Sequence, residues 1–440
     1  MASHWAEAGE LELAIPLWIE AGKAAVVRHA FQEAADNFRV GLRLLLRLPE
    51  APERDTKELE IGFALRRVLY TLSGYRGDEV KAILTRNAEI SEKSGDIRLL
   101  VEMTFSSFVQ SFMASNWLDA AESADELAAL SEKTAKDPSA VTQRLGSRLA
   151  SYSNFLCLYY RGMIKDAERH FTLWNELPEV GEGLERNRIA PCFSHAAACA
   201  ALAGRLDLAM ERQAMAVAHS VESGDLWDQA FVSQFGGLMH ILLRDPGQTM
   251  LAAEQALKNA RASGFQQLEA LTLSCAGWAK TQSGYPEEGL ALIRDGHSKL
   301  GALNNRVSMG VFILFRAEAE AACGYLEAAQ ASFDEALDYN PEEQLYIPLI
   351  LIGRARFERQ TGNDEQAIQS FQAAIALSSN SGAKTFELRA RIGLAEVLGS
   401  HGNGTKALEA LKQCVRKFGE QPLSIDLQDA KALIQKQTAN

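Results

Sequence analysis

Gly324-Tyr325-Leu326-Glu327-Ala328-Ala329-Gln330-Ala331-Ser332-Phe333-Asp334-Glu335-Ala336 decides the fold, because its pattern returns in Gly362-Asn363-Asp364-Glu365-Gln366-Ala367-Ile368-Gln369-Ser370-Phe371-Gln372-Ala373-Ala374. A glycine is followed by a small residue five positions on, a large apolar residue nine on and a second small residue twelve on. The same offsets from Gly9 give Ala14, Trp18 and Ala21; from Gly284, Gly289, Ile293 and Gly296; from Gly402, Ala407, Leu411 and Cys414. From His29 they give Ala34, Phe38 and Gly41. Gly204 keeps Ala209 and Ala216 but has Gln213 at the large position, and Gly162 opens a partial copy with Ala167, Phe171 and Trp174.

The glycine ends one helix in a left-handed backbone conformation, and the next helix starts within a few residues. Small residues let the two helices approach closely, and the large one fills the space between pairs. Seven positions before the turn the first helix is small as well: Ala197, Gly277, Ala317, Ala355 and Ala395. This code resembles the tetratricopeptide repeat. The expected fold is all-α, a right-handed superhelix of about ten to eleven tetratricopeptide-like antiparallel helix pairs with a C-terminal capping helix. Turns near 204, 247, 284, 324, 362 and 402 give a period of about 40 residues, longer than the ~34 of the standard repeat.

The expected pairs are 2–22, 23–48, 56–94, 97–132, 139–177, 186–222, 226–263, 266–300, 306–339, 344–379 and 385–418, with a cap at 424–436. Pro49, Pro52, Pro138, Pro178, Pro246, Pro341 and Pro422 fall between these helices, and Pro286 falls in a first turn, where proline is tolerated. Pro16, Pro191 and Pro348 predict a kink or a late helix start. The loop 178–184 divides the chain into repeats 1–180 and 181–440, or serves as a hinge in one continuous solenoid. The register is weakest in 56–185, where Ser115-Asn116-Trp117 stands in for a glycine turn.

The chain has 440 residues, 47% hydrophobic and 23% charged, with a net charge of −12. That length exceeds one ordinary core, and that charge repels phosphate backbones, so nucleic acid is excluded as a partner. Six cysteines show no C-x-x-C spacing and read as buried thiols. The N-terminus has no signal-peptide pattern, and the most apolar run, 346–352, is too short to span a membrane, so a cytoplasmic location is expected.

The opening, Trp5-Ala6-Glu7-Ala8-Gly9 through Ala14-Ile15-Pro16-Leu17-Trp18-Ile19-Glu20-Ala21-Gly22, is similar to the start of the helical tail of large bacterial signalling ATPases. Many of these carry a class III adenylate/guanylate cyclase domain, and ATPase-linked transcription activators are their relatives. The segments 34–54, Gly277-Trp278-Ala279 with Gly284-Tyr285-Pro286-Glu287-Glu288-Gly289, 382–390, and Phe418 with 426–433 resemble successive parts of the same tail. The resemblance covers nearly the whole chain and implies a sensory or protein-binding platform that regulates attached or partner domains. It carries over no catalytic or nucleotide-binding residue, because the cyclase and ATPase motifs have no matching positions here.

The residues show no catalytic constellation. Gly382-Ala383-Lys384-Thr385 lacks the glycine spacing of a phosphate loop and reads as a helix–helix turn. Cys192, His195 and Cys199 share one helix face but sit in an Ala-rich packing stretch, and no metal site is assigned to them. Glu318 with Glu320, and Glu287 with Glu288, are neighbouring carboxylates without a pocket. The chain is therefore read as a non-enzyme with no cofactor. Trp278, Glu318, Arg356 and Glu396 occupy one register position of successive first helices, and Arg359 lies a turn beyond Arg356. These five are the groove candidates for a partner protein or peptide. A small-molecule effector held by Trp278 and Arg356, or action on a cyclase or ATPase in a separate chain, are the alternatives.

Overall fold

Glycines with positive φ stand at seven of the expected turns, Gly9, Gly162, Gly204, Gly284, Gly324, Gly362 and Gly402, at 74–89°. The computed structural model describes residues 2–28, 30–73, 77–179, 189–303, 305–419 and 424–438. Among the described residues there are 22 helices and no strand. After α1 (Ala2–Glu7) come ten pairs: α2 (Leu11–Val27) with α3 (Phe31–Leu45), α4 (Pro52–Ser73) with α5 (Asp78–Ser94), α6 (Ile97–Met113) with α7 (Trp117–Thr134), α8 (Ala140–Tyr160) with α9 (Ile164–Glu176), and α10 (Ile189–Leu202) with α11 (Leu206–Ser223). They continue as α12 (Leu226–Leu242) with α13 (Pro246–Ser263), α14 (Gln266–Gln282) with α15 (Pro286–Ala302), α16 (Met309–Ala322) with α17 (Leu326–Asp338), α18 (Ile347–Gln360) with α19 (Asp364–Ser381), and α20 (Lys384–Ser400) with α21 (Thr405–Arg416). The closing helix is α22 (Ile425–Thr438). The fold is an all-helical, tetratricopeptide-like superhelix.

The small-residue code works as sterics require. A Cβ on Gly277 would lie 2.5 Å from Ile293 and 2.6 Å from the Gly289 carbonyl oxygen, so α14 and α15 touch backbone to backbone. Ala329, Phe333, Ala336, Ala367, Phe371 and Ala374 are all buried. First helices also pack on first helices: α12 on α14, α14 on α16, α16 on α18, and α18 on α20. One apolar cluster runs from Val101 to Val397 and crosses position 180; a second covers Ile15 to Met103.

The superhelix returns on itself. The Leu345 N–H donates to the Tyr160 carbonyl (3.1 Å), and the Asn340 amide to the Ser115 carbonyl (3.3 Å). Thr385 Oγ1 donates to the Ala201 carbonyl (2.6 Å), and Arg389 Nη2 to the Leu242 carbonyl (2.7 Å). The ends of first helices in pairs three to six thus meet the starts of pairs nine and ten, a return after about five pairs.

Several expectations need correction. Helix α2 runs unbroken through the expected boundary at 22/23, with Pro16 inside it, so it is the first helix of the pair closed by α3. Gly22 lies against Phe38, where an added Cβ would come within 2.5 Å of the ring. The turn expected near 247 lies at Arg244 (φ 61°), and Gly247 is inside α13. Ser115 (φ 57°) makes the equivalent turn before α7. Counting from these two residues recovers the buried positions, Ala120, Ala124 and Leu127, then Thr249, Ala253 and Ala256, although alanine takes the place of the large residue in both copies. Pro52 and Pro246 open helices rather than separating them, since a first turn needs no proline N–H. The His29 turn, Pro422 and most of the 178–184 hinge lie outside the described residues.

Candidate functional site

Trp278, Glu318, Arg356 and Glu396 stand six residues before their turns, on α14, α16, α18 and α20, and the stacking of first helices makes them a row. Trp278 Nε1 donates to Glu318 Oε2 (3.1 Å), and Gln282 Nε2 to the same oxygen (3.4 Å). The indole ring itself is buried, 6% exposed, and tilts against Phe315, so Trp278 presents no open face to a groove. Arg359 Nη1 donates to Glu396 Oε2 (2.7 Å), tying α18 to α20.

The return of the superhelix adds residues that the sequence pattern missed. Arg389 on α20 grips Asp426 of α22 with Nε and Nη2 at 3.0 and 2.7 Å. Arg244, in the α12–α13 turn, donates through Nη1 to Asp426 (3.0 Å) and Asp429 (2.5 Å). Together with Arg356, Arg359, Glu396 and Phe371 they line a cavity of ≈ 220 Å³.

Each guanidinium there but one has a carboxylate. Arg389 and Arg244 share Asp426, Arg244 also takes Asp429, and Arg359 takes Glu396. Arg356 makes no hydrogen bond or ion pair among the described residues. Burial works to raise the Asp426 carboxyl, but Arg389 and Arg244 together hold it below its ordinary value. Burial, then repulsion from Arg389 and Arg244, lower Arg356, while Glu318 and Asp426 act the other way. The Arg356 side chain reaches solvent and stands between the Glu318 carboxyl and the arginines of the cluster. Burial raises the Glu318 carboxyl, opposed by Arg356 and by the Trp278 hydrogen bond. The arrangement is suited to receive an anion at Arg356. It holds no nucleophile–base pair.

The other sequence candidates lie apart from this site. His195 is buried; its Nδ1 is 2.8 Å from the Pro191 carbonyl, to which it donates, leaving Nε2 to accept from Tyr160 Oη (3.3 Å). Burial lowers its pKa to about 4 and pushes the Cys199 thiol up, so both are neutral packing groups. Glu320 turns away from Glu318, accepting from Ser332 Oγ (2.6 Å) and pairing with Arg294 (3.3 Å). Glu288 pairs with Lys280 (2.9 Å). No helix of the described residues is long and apolar enough to cross a membrane.

No family model matches this sequence, and no curated protein matches it. Solved structures do. A Rap protein complexed with Competence and Sporulation Factor is 12% identical with a TM-score of 0.59, over 84% of this chain and 100% of that one. The apo quorum sensor NprR from B. thuringiensis is 15% identical with a TM-score of 0.48, over 83% of this chain and 99% of that one. A signal transduction ATPase with a tetratricopeptide repeat sensor, from Pyrococcus horikoshii, is 14% identical with a TM-score of 0.43, over 82% of this chain and 52% of that one. The Rap likeness is one of fold: a tetratricopeptide-like superhelix at low identity.

Proposed function

We propose that this chain is a non-catalytic regulatory repeat protein of the cytoplasm that binds an acidic segment of a partner protein on its first-helix face, with Arg356 as the anchor. The observation that carries this is that Arg356 makes no hydrogen bond or ion pair among the described residues, at a cavity whose other three arginines each hold a carboxylate. A cavity of ≈ 220 Å³ accommodates one carboxylate side chain or terminus rather than a whole metabolite. This favours a peptide over a small-molecule effector at this place. That a Rap protein of similar fold has been seen complexed with Competence and Sporulation Factor supports a binding role for this architecture. The apolar cluster crossing position 180 favours one continuous solenoid over separate units at 1–180 and 181–440. The sequence resemblance to signalling-ATPase and cyclase tails directs the search for a partner first to such enzymes in separate chains.

Peptide display against the intact chain, with Arg356→Glu as the counter-selection, tests the reading. Enriched sequences are expected to share a carboxylate and to be lost on the variant. Enriched peptides that hold the variant equally well would end the proposal.

A further inference from the structure

A second cavity, of ≈ 690 Å³, lies far from the arginine cluster, between α3, α4 and α5. The two second helices α3 and α5 splay apart over α4, and Val40, Leu65 and Ile83 form apolar walls. Leu46, 48% exposed, stands at the mouth. Two bidentate ion pairs frame the slot: Arg39 with Glu79 (2.8 and 2.7 Å), and Arg86 with Glu58 (2.7 and 3.3 Å). Arg39 also takes Asp36 (3.0 Å).

Two donors in the lining have no partner among the described residues. Asn87 is 2% exposed, yet its Nδ2 makes no hydrogen bond. It lies against Gly62, where an added Cβ would come within 2.6 Å of its Oδ1, so the absent side chain at 62 makes the room the carboxamide occupies. A buried amide N–H without an acceptor costs about 1–3 kcal/mol, which a guest offering an oxygen would recover. Arg43, on the exposed edge of α3, is the lining arginine left over once Arg39 and Arg86 have their carboxylates.

The geometry points to a binding site here for a small amphipathic organic acid, its apolar body against Val40, Leu65 and Ile83 and its oxygens accepting from Asn87 and Arg43. The size fits, since pockets for small ligands run to roughly 300–1,000 Å³. Three arginines and three carboxylates line the slot, so the cation offered to a guest is a local one: Arg43, exposed on the edge of α3 and unpaired among the described residues. The site is independent of the Arg356 cluster: it is built from the first two pairs, on their second helices.

The test uses the full chain and two probes: decanoate by calorimetry and 1-anilinonaphthalene-8-sulfonate by fluorescence, with decanol as the control lacking the acid. Ala82, an exposed lining residue of α5, is replaced in Ala82→Trp to fill the slot. Arg43→Glu reverses the charge at the edge. Saturable one-to-one binding of at least one acid is expected, weakened about tenfold or more in both variants and about tenfold for decanol against decanoate. Both variants should keep the natural melting midpoint, and Arg356→Glu should leave the titration unchanged. No saturable binding of either acid, equal binding by Ala82→Trp, or decanol binding as tightly as decanoate would overturn the assignment.

Discussion

Between α3 and α5 the walls are Val40, Leu65 and Ile83, with charges paired around them; where α18, α20 and α22 meet the α12–α13 turn, the walls are four arginines interleaved with Asp426, Asp429 and Glu396. Both places come from one construction, helix pairs stacked on helix pairs. They differ in which layer is open. Helix α3 meets a later superhelical turn only at its start, where Phe31 lies against Phe265 (ring centroids 6.3 Å); the slot lining begins at Asp36, so the gap stays open and its charges stay wet. The first-helix side at the C-terminal end is closed by the returning chain, so charges drawn in there must be neutralised or hydrated. Arginine–carboxylate pairs thus do different things: Asp426, held by Arg389 of the neighbouring α20, takes Arg244 from an earlier superhelical turn and ties the turns together, while Arg39–Glu79 and Arg86–Glu58 trim an open slot.

The sharpest way to break this contrast is to remove the locking arginine. Arg389→Ala leaves Asp426 buried without its bidentate partner and frees the Leu242 carbonyl; a loss of about 3–5 kcal/mol in denaturant unfolding is expected. A loss near zero would show that Asp426 is not sealed by the return of the superhelix.

Glu343 sharpens the contrast from the other side, because it is a buried carboxyl with no cation. It accepts only from the Ser308 N–H (3.1 and 3.3 Å) in the described hydrogen bonds, and burial raises it from 4.5 to about 8. The folded state holds this proton more tightly than the unfolded state. Its contribution to stability is therefore full below about pH 4.5 and falls as pH rises toward about 8. Glu343→Gln carries no proton to lose, so the variant should outlast the natural chain above pH 8 by on the order of a few kcal/mol and match it near pH 4.5. Parallel melting curves at all pH values would contradict the reading. His195 and His297, held down to about 4 by burial, lower stability as pH falls below 6.5 in both proteins.

Gly277→Ala probes the packing that sets the stacking itself. Its methyl would press on Ile293 and the Gly289 carbonyl, with an expected loss of about 1–3 kcal/mol. Arg39→Ala, at the open slot, removes a pair whose side chains are 34% and 42% exposed and should cost about 1 kcal/mol or less. If Arg39→Ala cost as much as Arg389→Ala, the distinction between the two sites would collapse.

The turns were legible in sequence wherever glycine supplied the left-handed residue, and the apolar register followed from them. Ser115-Asn116-Trp117 was legible only as a stand-in for a glycine turn, and Arg244 escaped, because non-glycine residues adopt positive φ at a cost of roughly 1–2 kcal/mol, which other contacts must offset. Arg244 also donates to Asp426 and Asp429, a tertiary reason for its place that no local pattern carries. The row Trp278–Glu318–Arg356–Glu396 was legible as one register position. The arginine cluster was not, because Arg244 reaches Asp426 only through the superhelix's return, across 182 residues, while Arg389 meets it from the neighbouring α20. The slot at Asn87 depends on a splay of helices that periodicity does not encode.

The measurement that bears most directly on the role of Arg356 is the affinity of display-selected peptides for the natural chain and for Arg356→Glu, read by fluorescence anisotropy beside melting curves. The expected result is an affinity loss of about tenfold or more, with melting midpoints that agree, since Arg356 makes no hydrogen bond or ion pair among the described residues and its side chain is exposed. Equal affinities at equal stability would contradict the assignment of this face as the binding surface.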